Sequence, residues 1–178
     1  SLDNPMYAPQ TMRYFVVSGV TDLIVNNLEG FGDGSPYGTW DNEVHYQTGL
    51  DGASNTSYAA TNHLVFGKGM ELDALDAINN VYLNVGWTFP SMNDEKVLLL
   101  QDFMDNGGNL FVSGQDIGWE VMDPNSTYGT STNQNFYTNY LQASYLADGN
   151  DANAQLTAVI DEPIFGTVMS SNIMDVYN

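Results

Sequence analysis

The sequence predicts an α/β fold in which a mainly parallel central sheet lies between layers of helices. Two observations lead to this prediction. Short β-branched runs alternate along the chain with segments whose apolar residues recur at helical spacing. The strongest strand signal, residues 109–113 (NLFVS), reads as a buried strand, and covered parallel sheets contain such strands. Together these favour a three-layer arrangement over an all-β or all-α fold.

The chain begins with a segment of different character. Residues 1–12 contain Pro5 and Pro9 and predict an extended arm, which the β-branched run RYFVVSG continues. We therefore assign residues 1–19 to an N-terminal arm and residues 20–178 to one α/β domain, shortened at its C-terminal end. The tail from residue 148 onward predicts irregular structure.

The first half of the domain carries two predicted strands. TDLIVNN (21–27) is one, and a second lies within residues 57–67. The loop over residues 29–43 contains four glycines, a proline and three aromatic residues, which favours a functional or partner-contacting loop. Helical character over residues 42–52 is weak because Gly49 interrupts it.

The second half predicts more regular elements. Residues 71–87 indicate a short helix that runs into a strand ending at Trp87. The clearest helix follows, with Ser91 as its cap and Asn106-Gly107-Gly108 as a left-handed stop. Residues 133–146 predict a second amphipathic helix that leads into another strand.

The charge balance narrows the classes of partner. Three basic residues stand against 22 acidic ones, which gives a net charge of −19. Such a surface repels phosphate, so nucleic-acid binding is excluded. No run of about 18 apolar residues predicts insertion into a membrane. The acidity is typical of proteins in a salty or extracellular medium.

The carboxyl ends of the predicted strands bring polar and aromatic residues to one edge of the sheet. Ligands of open α/β sheets bind at this edge. We predict five ligand-binding residues there: Asn27, Trp87, Gln115, Asp116 and Trp119. Aromatic faces beside neutral amides suit carbohydrate, and Trp40 could extend such a pocket. Ordinary packing is the alternative reading for the tryptophans.

The segment Gly114-Gln115-Asp116-Ile117-Gly118 has the outline of a nucleophile elbow with an aspartate at its centre. Asp116 could act as a carboxylate nucleophile, with His45 or His63 as the base. The structural alternative, which we favour, is that Asp116 caps the following helix and accepts hydrogen bonds from backbone amides.

Three segments resemble one family. They are LLLQDFMDNGGNLFVSGQDIGWE (98–120), NFYTNYLQASYLADG (135–149) and DEPIFGTV (161–168). They are similar to the class I glutamine amidotransferase-like domains of secreted multidomain bacterial and archaeal proteins. The resemblance implies a flavodoxin-like three-layer sandwich and an extracellular setting.

The chain departs from true amidotransferases at the residues that carry their chemistry. Their triad needs a cysteine at the elbow and a histidine after it. This chain has no cysteine, Asp116 stands at the elbow, and both His45 and His63 precede it. Glutamine hydrolysis by the family mechanism is chemically excluded, so we predict no catalytic residue and lean toward a pseudoenzyme.

Metal binding has only weak signals. Asp41, Glu43 and His45 could form an oxygen-and-imidazole patch, but no ligand spacing supports it. Residues 148–154 (DGNDANA) resemble the start of a calcium loop, yet Ala152 breaks the pattern. We predict no metal site and no cofactor, and leave calcium open.

The sequence thus predicts a non-catalytic extracellular binding or structural module on a degenerate amidotransferase-like scaffold. Its expected partner is a carbohydrate, a surface component or another protein, with self-association as a further option. Two alternatives stand beside it. One is a subunit of a secreted filament or surface layer, in which residues 1–17 add a strand to a neighbouring copy. The other is a hydrolase that uses Asp116.

Overall fold

The computed structural model describes residues 19–27, 42–53, 57–62, 66–67 and 72–148. The chain divides into two compact units, Ser1–Leu146 and Ala147–Asn178. Every helix and strand described below belongs to the first unit. Within the described ranges, no helix is both long enough and apolar enough to cross a membrane.

A parallel four-stranded sheet forms the centre of the fold. Its strands are β1 (Asp22–Asn26), β2 (Tyr58–Asn62), β3 (Asn80–Asn84) and β4 (Asn109–Ser113). They lie in the order β2-β1-β3-β4, and each neighbouring pair is parallel. A flavodoxin-like sheet has this order over its first four strands. The predicted α/β fold with a parallel central sheet is confirmed.

Helical segments connect the strands and follow the last of them. They are α1 (Glu43–Gly52), a 3₁₀ turn (Leu72–Leu75), α2 (Asp94–Asp105), α3 (Ile117–Met122), α4 (Ser131–Asn135) and a π-helical turn (Phe136–Tyr140). Helix α1 lies between β1 and β2 in the chain, and α2 lies between β3 and β4, as parallel pairing requires.

Different helices cover the two faces of the sheet. Val81 and Leu83 of β3 are fully buried in the main core, which Leu100 of α2 shares. Successive residues of a strand point to opposite faces. Tyr82 therefore lies on the other face, where the ring of Tyr46 from α1 is 6.2 Å away between centroids. Helices on both faces make the fold a three-layer sandwich.

The face under α1 carries two rows of hydrogen-bonded polar side chains. In one row, Asn80 Nδ2 donates to Asp22 Oδ1 at 2.8 Å, and Asn109 Nδ2 donates to Asn80 Oδ1 at 3.1 Å. In the other row, Asn84 Nδ2 donates to Asn26 Oδ1 at 2.8 Å. A carboxamide supplies both a donor and an acceptor, so each row can cross several strands. Within the described part of the chain, no buried side-chain nitrogen or oxygen lacks a partner.

Tyr82 lies between these two rows. Its hydroxyl donates to Asp22 Oδ1 at 3.3 Å. Burial raises the pKa of Tyr82 above its ordinary value, and the charge of Asp22 and the hydrogen bond to it raise the pKa further. The hydroxyls of Tyr46 and Ser113 share a hydrogen bond that ties α1 to the end of β4.

Helix α2 does not begin at the predicted cap. Its N-cap is Asn93, whose Oδ1 accepts from the backbone N–H of Lys96 at 3.0 Å. The prediction of Ser91 as the cap is wrong because both its N–H and its hydroxyl donate to Glu120. Sequence spacing could not reveal that competing acceptor, which comes from a helix far along the chain.

The predicted left-handed stop of α2 is confirmed. Gly107 has φ 93°, and its N–H donates to the Met104 carbonyl at 2.9 Å. The Gly108 N–H donates to the Phe103 carbonyl at 3.0 Å. These two bonds form a Schellman motif, which turns the chain directly into β4.

Other predicted elements differ in length. The strand predicted to end at Trp87 stops at Asn84, and Gly86 just beyond has φ 59°. The helix predicted over residues 133–146 is represented by α4 and the π-helical turn, and it ends where Gln142 takes φ 51°. The expected strand after it does not form within residues 141–148. Helix α1 forms despite Gly49.

Several predictions concern residues outside the described ranges. They are nearly all of the N-terminal arm (1–19), most of the glycine-rich loop (29–43), Trp40, His63 and the tail beyond residue 148. The proposed assembly through residues 1–17 stays a prediction for this reason.

Candidate functional site

The strand order of the sheet reverses between β1 and β3, and this is where ligand crevices of doubly wound folds lie. Asn27 follows β1 at this point, and the segment from Val85 to Thr88 follows β3. The chain after β4 also arrives there, because the Gln115 N–H donates to the Gly86 carbonyl at 2.7 Å. Three strand ends therefore meet at one edge, as the sequence predicts.

Asn27 is a structural link at this edge. Its side chain is only 2% exposed, and Nδ2 donates to the Val85 carbonyl at 2.9 Å. Its backbone N–H donates to the Asn84 carbonyl at 2.9 Å. A Cβ on Gly86 would lie 2.5 Å from Asn27 Nδ2, so glycine is required for this approach. Asn27 thus holds the β1 and β3 ends together, and its carboxamide is not presented at the surface.

Gly114 brings the end of β4 against the end of β3. A Cβ at this position would lie 2.3 Å from Val85 Cγ2 and 3.0 Å from the Gly86 carbonyl oxygen. The first glycine of the elbow outline therefore serves close packing between two strand ends. Gln115 is consequently fixed through its backbone, and its side chain is half-buried at the edge.

Asp116 occupies the N-cap position of α3 in a left-handed conformation, with φ 61° and ψ 18°. Its carboxylate makes no capping hydrogen bond, so the prediction that Asp116 caps backbone amides is wrong. A capping side chain normally requires an extended N-cap backbone, and the left-handed one turns the carboxylate elsewhere. Oδ2 accepts from the Trp87 indole Nε1–H at 2.7 Å. Both residues are half-buried.

Phe89 and Trp119 lie within three residues of Trp87 and Asp116 in the sequence, and the ring of Phe89 contacts both Trp119 and Tyr128. Phe89 meets Trp119 edge-to-face at 5.6 Å between centroids, and it stacks on Tyr128 at 5.6 Å with 13° between the planes. We call Phe89, Trp119 and Tyr128 the aromatic cluster, and the cluster together with Trp87 and Asp116 the strand-end site. Tyr128 is 36% exposed and forms its outer side.

The segment that carries Trp87 and Phe89 is held by a buried carboxylate. Glu120 has no exposed surface, yet it accepts from Ser91 N–H at 2.8 Å and Met92 N–H at 3.0 Å through Oε1. Oε2 accepts from the Ser91 hydroxyl. A charge that is fully buried needs several donors to remain stable, and these supply them.

Two further buried side chains bind the same segment from other helices. Lys96 Nζ donates to the Ser91 carbonyl at 2.6 Å, and Asn133 Nδ2 donates to the Met92 carbonyl at 3.0 Å. Lys96 is 1% exposed and Asn133 is 2% exposed. Polar side chains from α2, α3 and α4 thus bind the two consecutive residues Ser91 and Met92. These hydrogen bonds hold the segment against three helices.

The structure joins four of the five predicted ligand residues in one region and shows a different role for the fifth. Trp87, Gln115, Asp116 and Trp119 are half-buried at the edge, whereas Asn27 is buried beneath it. Sequence reasoning missed two aromatic members, Phe89 and Tyr128, and the supporting Glu120. The signal for Glu120 was a single acid inside the short apolar helix IGWEVM, a position that favours a buried partner.

The described residues show no contact that supports a catalytic histidine or a metal site. His45 is exposed on α1, and no described hydrogen bond joins it to Asp116. No group of three or more histidine, aspartate or glutamate side chains in the described ranges is arranged to hold a metal ion. The candidate calcium loop lies almost wholly outside those ranges.

A cavity of about 270 Å³ lies at the opposite end of the sheet. It is lined by residues before β3 and β4, among them Asn79, Phe103 and Gly108. Asp76 is the one titratable residue among the described residues that line it. The cavity lies at the amino ends of β3 and β4, whereas the strand-end site lies at their carboxyl ends.

The fold and the site define an α/β protein with an aromatic, carboxylate-bearing site at the switch point of a parallel sheet. Comparison with protein-family models, with curated proteins and with solved structures finds no match to this chain. The resemblance to amidotransferase-like domains stays a prediction from the motifs.

Proposed function

We propose that this protein is a non-catalytic binding module, extracellular or at a cell surface, which takes a neutral glycan at the strand-end site. The observation that carries the proposal is the Trp87–Asp116 hydrogen bond beside the aromatic cluster. The module would be a degenerate amidotransferase-like scaffold. It keeps the turn at residues 114–118 and lacks the cysteine and the later histidine of the catalytic triad.

The chemistry of the site suits a sugar. Pyranose rings have apolar faces that stack on aromatic rings and hydroxyls that bond carboxylates and carboxamides. Tyr128 offers a ring that is 36% exposed, and Gln115 and Asp116 offer polar groups after the end of β4. Trp87 binds Oδ2 of Asp116, and no donor among the described residues reaches Oδ1. That oxygen can therefore accept a ligand hydroxyl.

Charge favours a neutral glycan over an acidic one. The chain carries a net charge of −19, so an anionic polysaccharide approaches against the field of the whole protein. Uncharged hexose polymers meet no such barrier, and stacking does not depend on charge.

The rigidity of the site supports binding. Glu120, Lys96 and Asn133 fix the segment that carries Phe89, and these side chains are buried. A site that is ordered before the ligand arrives loses less conformational entropy on binding, which raises affinity.

The surroundings of Asp116 support a binding role over a hydrolytic one. The described partner of its carboxylate is an indole N–H, which donates a hydrogen bond and cannot act as a base. A carboxylate nucleophile would need a base for the second step, and the amidotransferase alternative would need a cysteine that the chain lacks.

The test is a titration of the full chain with neutral oligosaccharides. Hexamers of glucose, mannose, xylose and N-acetylglucosamine units are added separately, with heat and tryptophan fluorescence as readouts. We expect at least one to bind and to change the emission of Trp87 or Trp119. Absence of binding by every member at millimolar concentration would argue against the proposal.

Matched variants locate the site. Tyr128→Ala removes an exposed stacking face, and we expect about tenfold weaker binding, as loss of roughly 1.4 kcal/mol implies. Tyr58→Ala is the control, because Tyr58 lies on β2 and bonds Asp51 of α1. Equal affinities of the two variants would place the sugar elsewhere.

A further inference from the structure

Strand β4 lies at one edge of the described sheet, and two of its five residues direct their backbone groups away from β3. The Asn109 N–H donates to the Asn79 carbonyl at 2.8 Å, and the Ser113 carbonyl accepts from the Val85 N–H at 2.9 Å. Backbone groups alternate in direction along a strand, so Leu110 and Val112 direct theirs outward. Within the described ranges, no strand lies beyond β4.

Within the described residues, this outer edge lacks three features that block strand addition, namely lysine, proline and a bulge. The sequence Asn109–Ser113 (NLFVS) contains no lysine and no proline. Its register with β3 is continuous over all five residues, without a bulge. Phe111 projects from the strand with 41% of its surface exposed, so the prediction that residues 109–113 form a buried strand is wrong. The edge is thus regular in register, and its three central residues are apolar.

The charge around the edge selects the partner. The described residues include a single lysine or arginine, Lys96, and it is 1% exposed. Asp102 and Asp105 are exposed on α2 just before β4, and Asp116 follows the strand. A second copy of this chain, with net charge −19, would be repelled, whereas a basic segment would be attracted.

We propose that the outer edge of β4 binds an extended segment of a partner protein as an added strand. The segment has a short apolar, β-branched centre with lysine or arginine on both flanks. Its backbone pairs with Leu110 and Val112, and one of its apolar side chains packs beside Phe111. The flanking cations lie near Asp105 at one end and Asp116 at the other. This surface shares Asp116 with the strand-end site but includes no residue of the aromatic cluster. Strand pairing uses the backbone of Leu110 and Val112, so the inference does not depend on glycan binding.

The experiment uses the full chain and two synthetic peptides. Both have a centre of alternating valine and threonine; one carries paired lysines at each end, and the other carries paired glutamates. We expect the lysine peptide to bind and to slow amide hydrogen exchange at Leu110 and Val112 at least tenfold. Amides of Phe111 and Ser113 bond β3 and should be slow with or without peptide. Affinity should fall as salt rises, because screening weakens the charge attraction.

Two results would overturn the proposal. Slow exchange at Leu110 and Val112 without any peptide would show that this chain or a second copy already covers the edge. A dependence of that protection on protein concentration would identify the second copy. Equal binding of the glutamate peptide would remove the argument from charge.

Variants at the edge distinguish the contribution of its backbone N–H groups from that of its exposed side chains. Val112→Pro removes an outward N–H and no bond to β3, and edge strands tolerate proline at such positions. We expect it to weaken lysine-peptide binding at least tenfold, whereas Val112→Thr, which keeps the N–H, should bind normally. If Val112→Pro does not fold, Phe111→Lys serves instead, since its exposed cation should repel the same peptide. Normal binding by the folded variant would contradict the proposal.

Discussion

Asn84 donates its side-chain N–H to the carbonyl oxygen of the Asn26 side chain, with 2.8 Å between Nδ2 and Oδ1, and both residues are buried on neighbouring parallel strands. Asn84 Oδ1 also accepts from the Gly86 N–H at 3.2 Å. The carboxamide therefore joins the polar row across the sheet to the turn that leads into the strand-end site. A one-residue slip of β3 would move this side chain to the apolar face, so the row also specifies register.

Replacing Asn84 with leucine should lower the free energy of unfolding by about 2 kcal/mol, because buried polar groups would lose a partner. Asn109→Leu is the matched control. It alters the exposed end of the other row and should cost less than about 0.5 kcal/mol. Urea denaturation of the two variants measures both values. Similar losses would show that the buried row does not stabilise the sheet.

Glu120→Gln should lower the free energy of unfolding by about 3 kcal/mol. The glutamine amide replaces one acceptor oxygen with an NH₂ donor, and this donor would face the N–H groups that now donate to the carboxylate. Glu95→Gln, exposed in the first turn of α2, should change stability by less than about 1 kcal/mol. Chemical denaturation gives the values, and Trp87 and Trp119 emission reports the site. A Glu120 variant as stable as the Glu95 variant would contradict the role of this carboxylate.

Two glycine replacements should change the free energy of unfolding in opposite directions. Gly49 lies within α1 and a Cβ there would meet nothing within 4 Å, so Gly49→Ala should stabilise by about 0.5–1 kcal/mol. Gly107 is equally open but has φ 93°, so Gly107→Ala should destabilise by about 1 kcal/mol through backbone strain alone. Thermal or urea unfolding distinguishes them. Stabilisation by both would mean that the stop of α2 does not need its left-handed residue.

The Tyr82 phenol should ionise above its ordinary pKa of 10.0, chiefly because of burial and then because of Asp22. The folded pKa is the higher one, so the stability that this group contributes is present below pH 10.0 and is lost as pH rises through the folded value. Carbon NMR of the tyrosine ring follows this titration directly.

Asp22→Asn tests the cause of the Tyr82 shift. It removes the charge and leaves most of the burial, so the pKa of Tyr82 should fall part of the way toward its ordinary value. An unchanged titration would assign the shift to burial alone. Full return to the ordinary value would instead make Asp22 the larger cause.

Sequence reasoning recovered elements that depend on local signals. The stop at Asn106-Gly107-Gly108 is encoded by residues adjacent in the chain, and it forms as predicted. The cap of α2 was missed because Ser91 and Asn93 are both good caps locally, and the choice between them depends on Glu120.

The polar rows of the sheet have a signal in the sequence that periodicity alone does not reveal. The strands DLIVN, NVYLN and NLFVS all have aspartate, asparagine or serine at their first and last positions. With parallel pairing in equal register, such positions must form rows on one face. Matching polar ends on neighbouring parallel strands therefore indicate a hydrogen-bonded row at each end of the sheet.

By itself the sequence determined the α/β class, the parallel sheet and the edge at which Trp87, Gln115 and Asp116 meet. These follow from periodicity and from the geometry of parallel strands, which are local or general. Only the tertiary structure decided that Asn27 is buried, that Asp116 binds an indole instead of capping α3, and that Glu120 fixes the neighbouring segment. Each of these depends on which distant donor or acceptor lies within hydrogen-bond distance of the group. The order of residues along the chain does not give those distances.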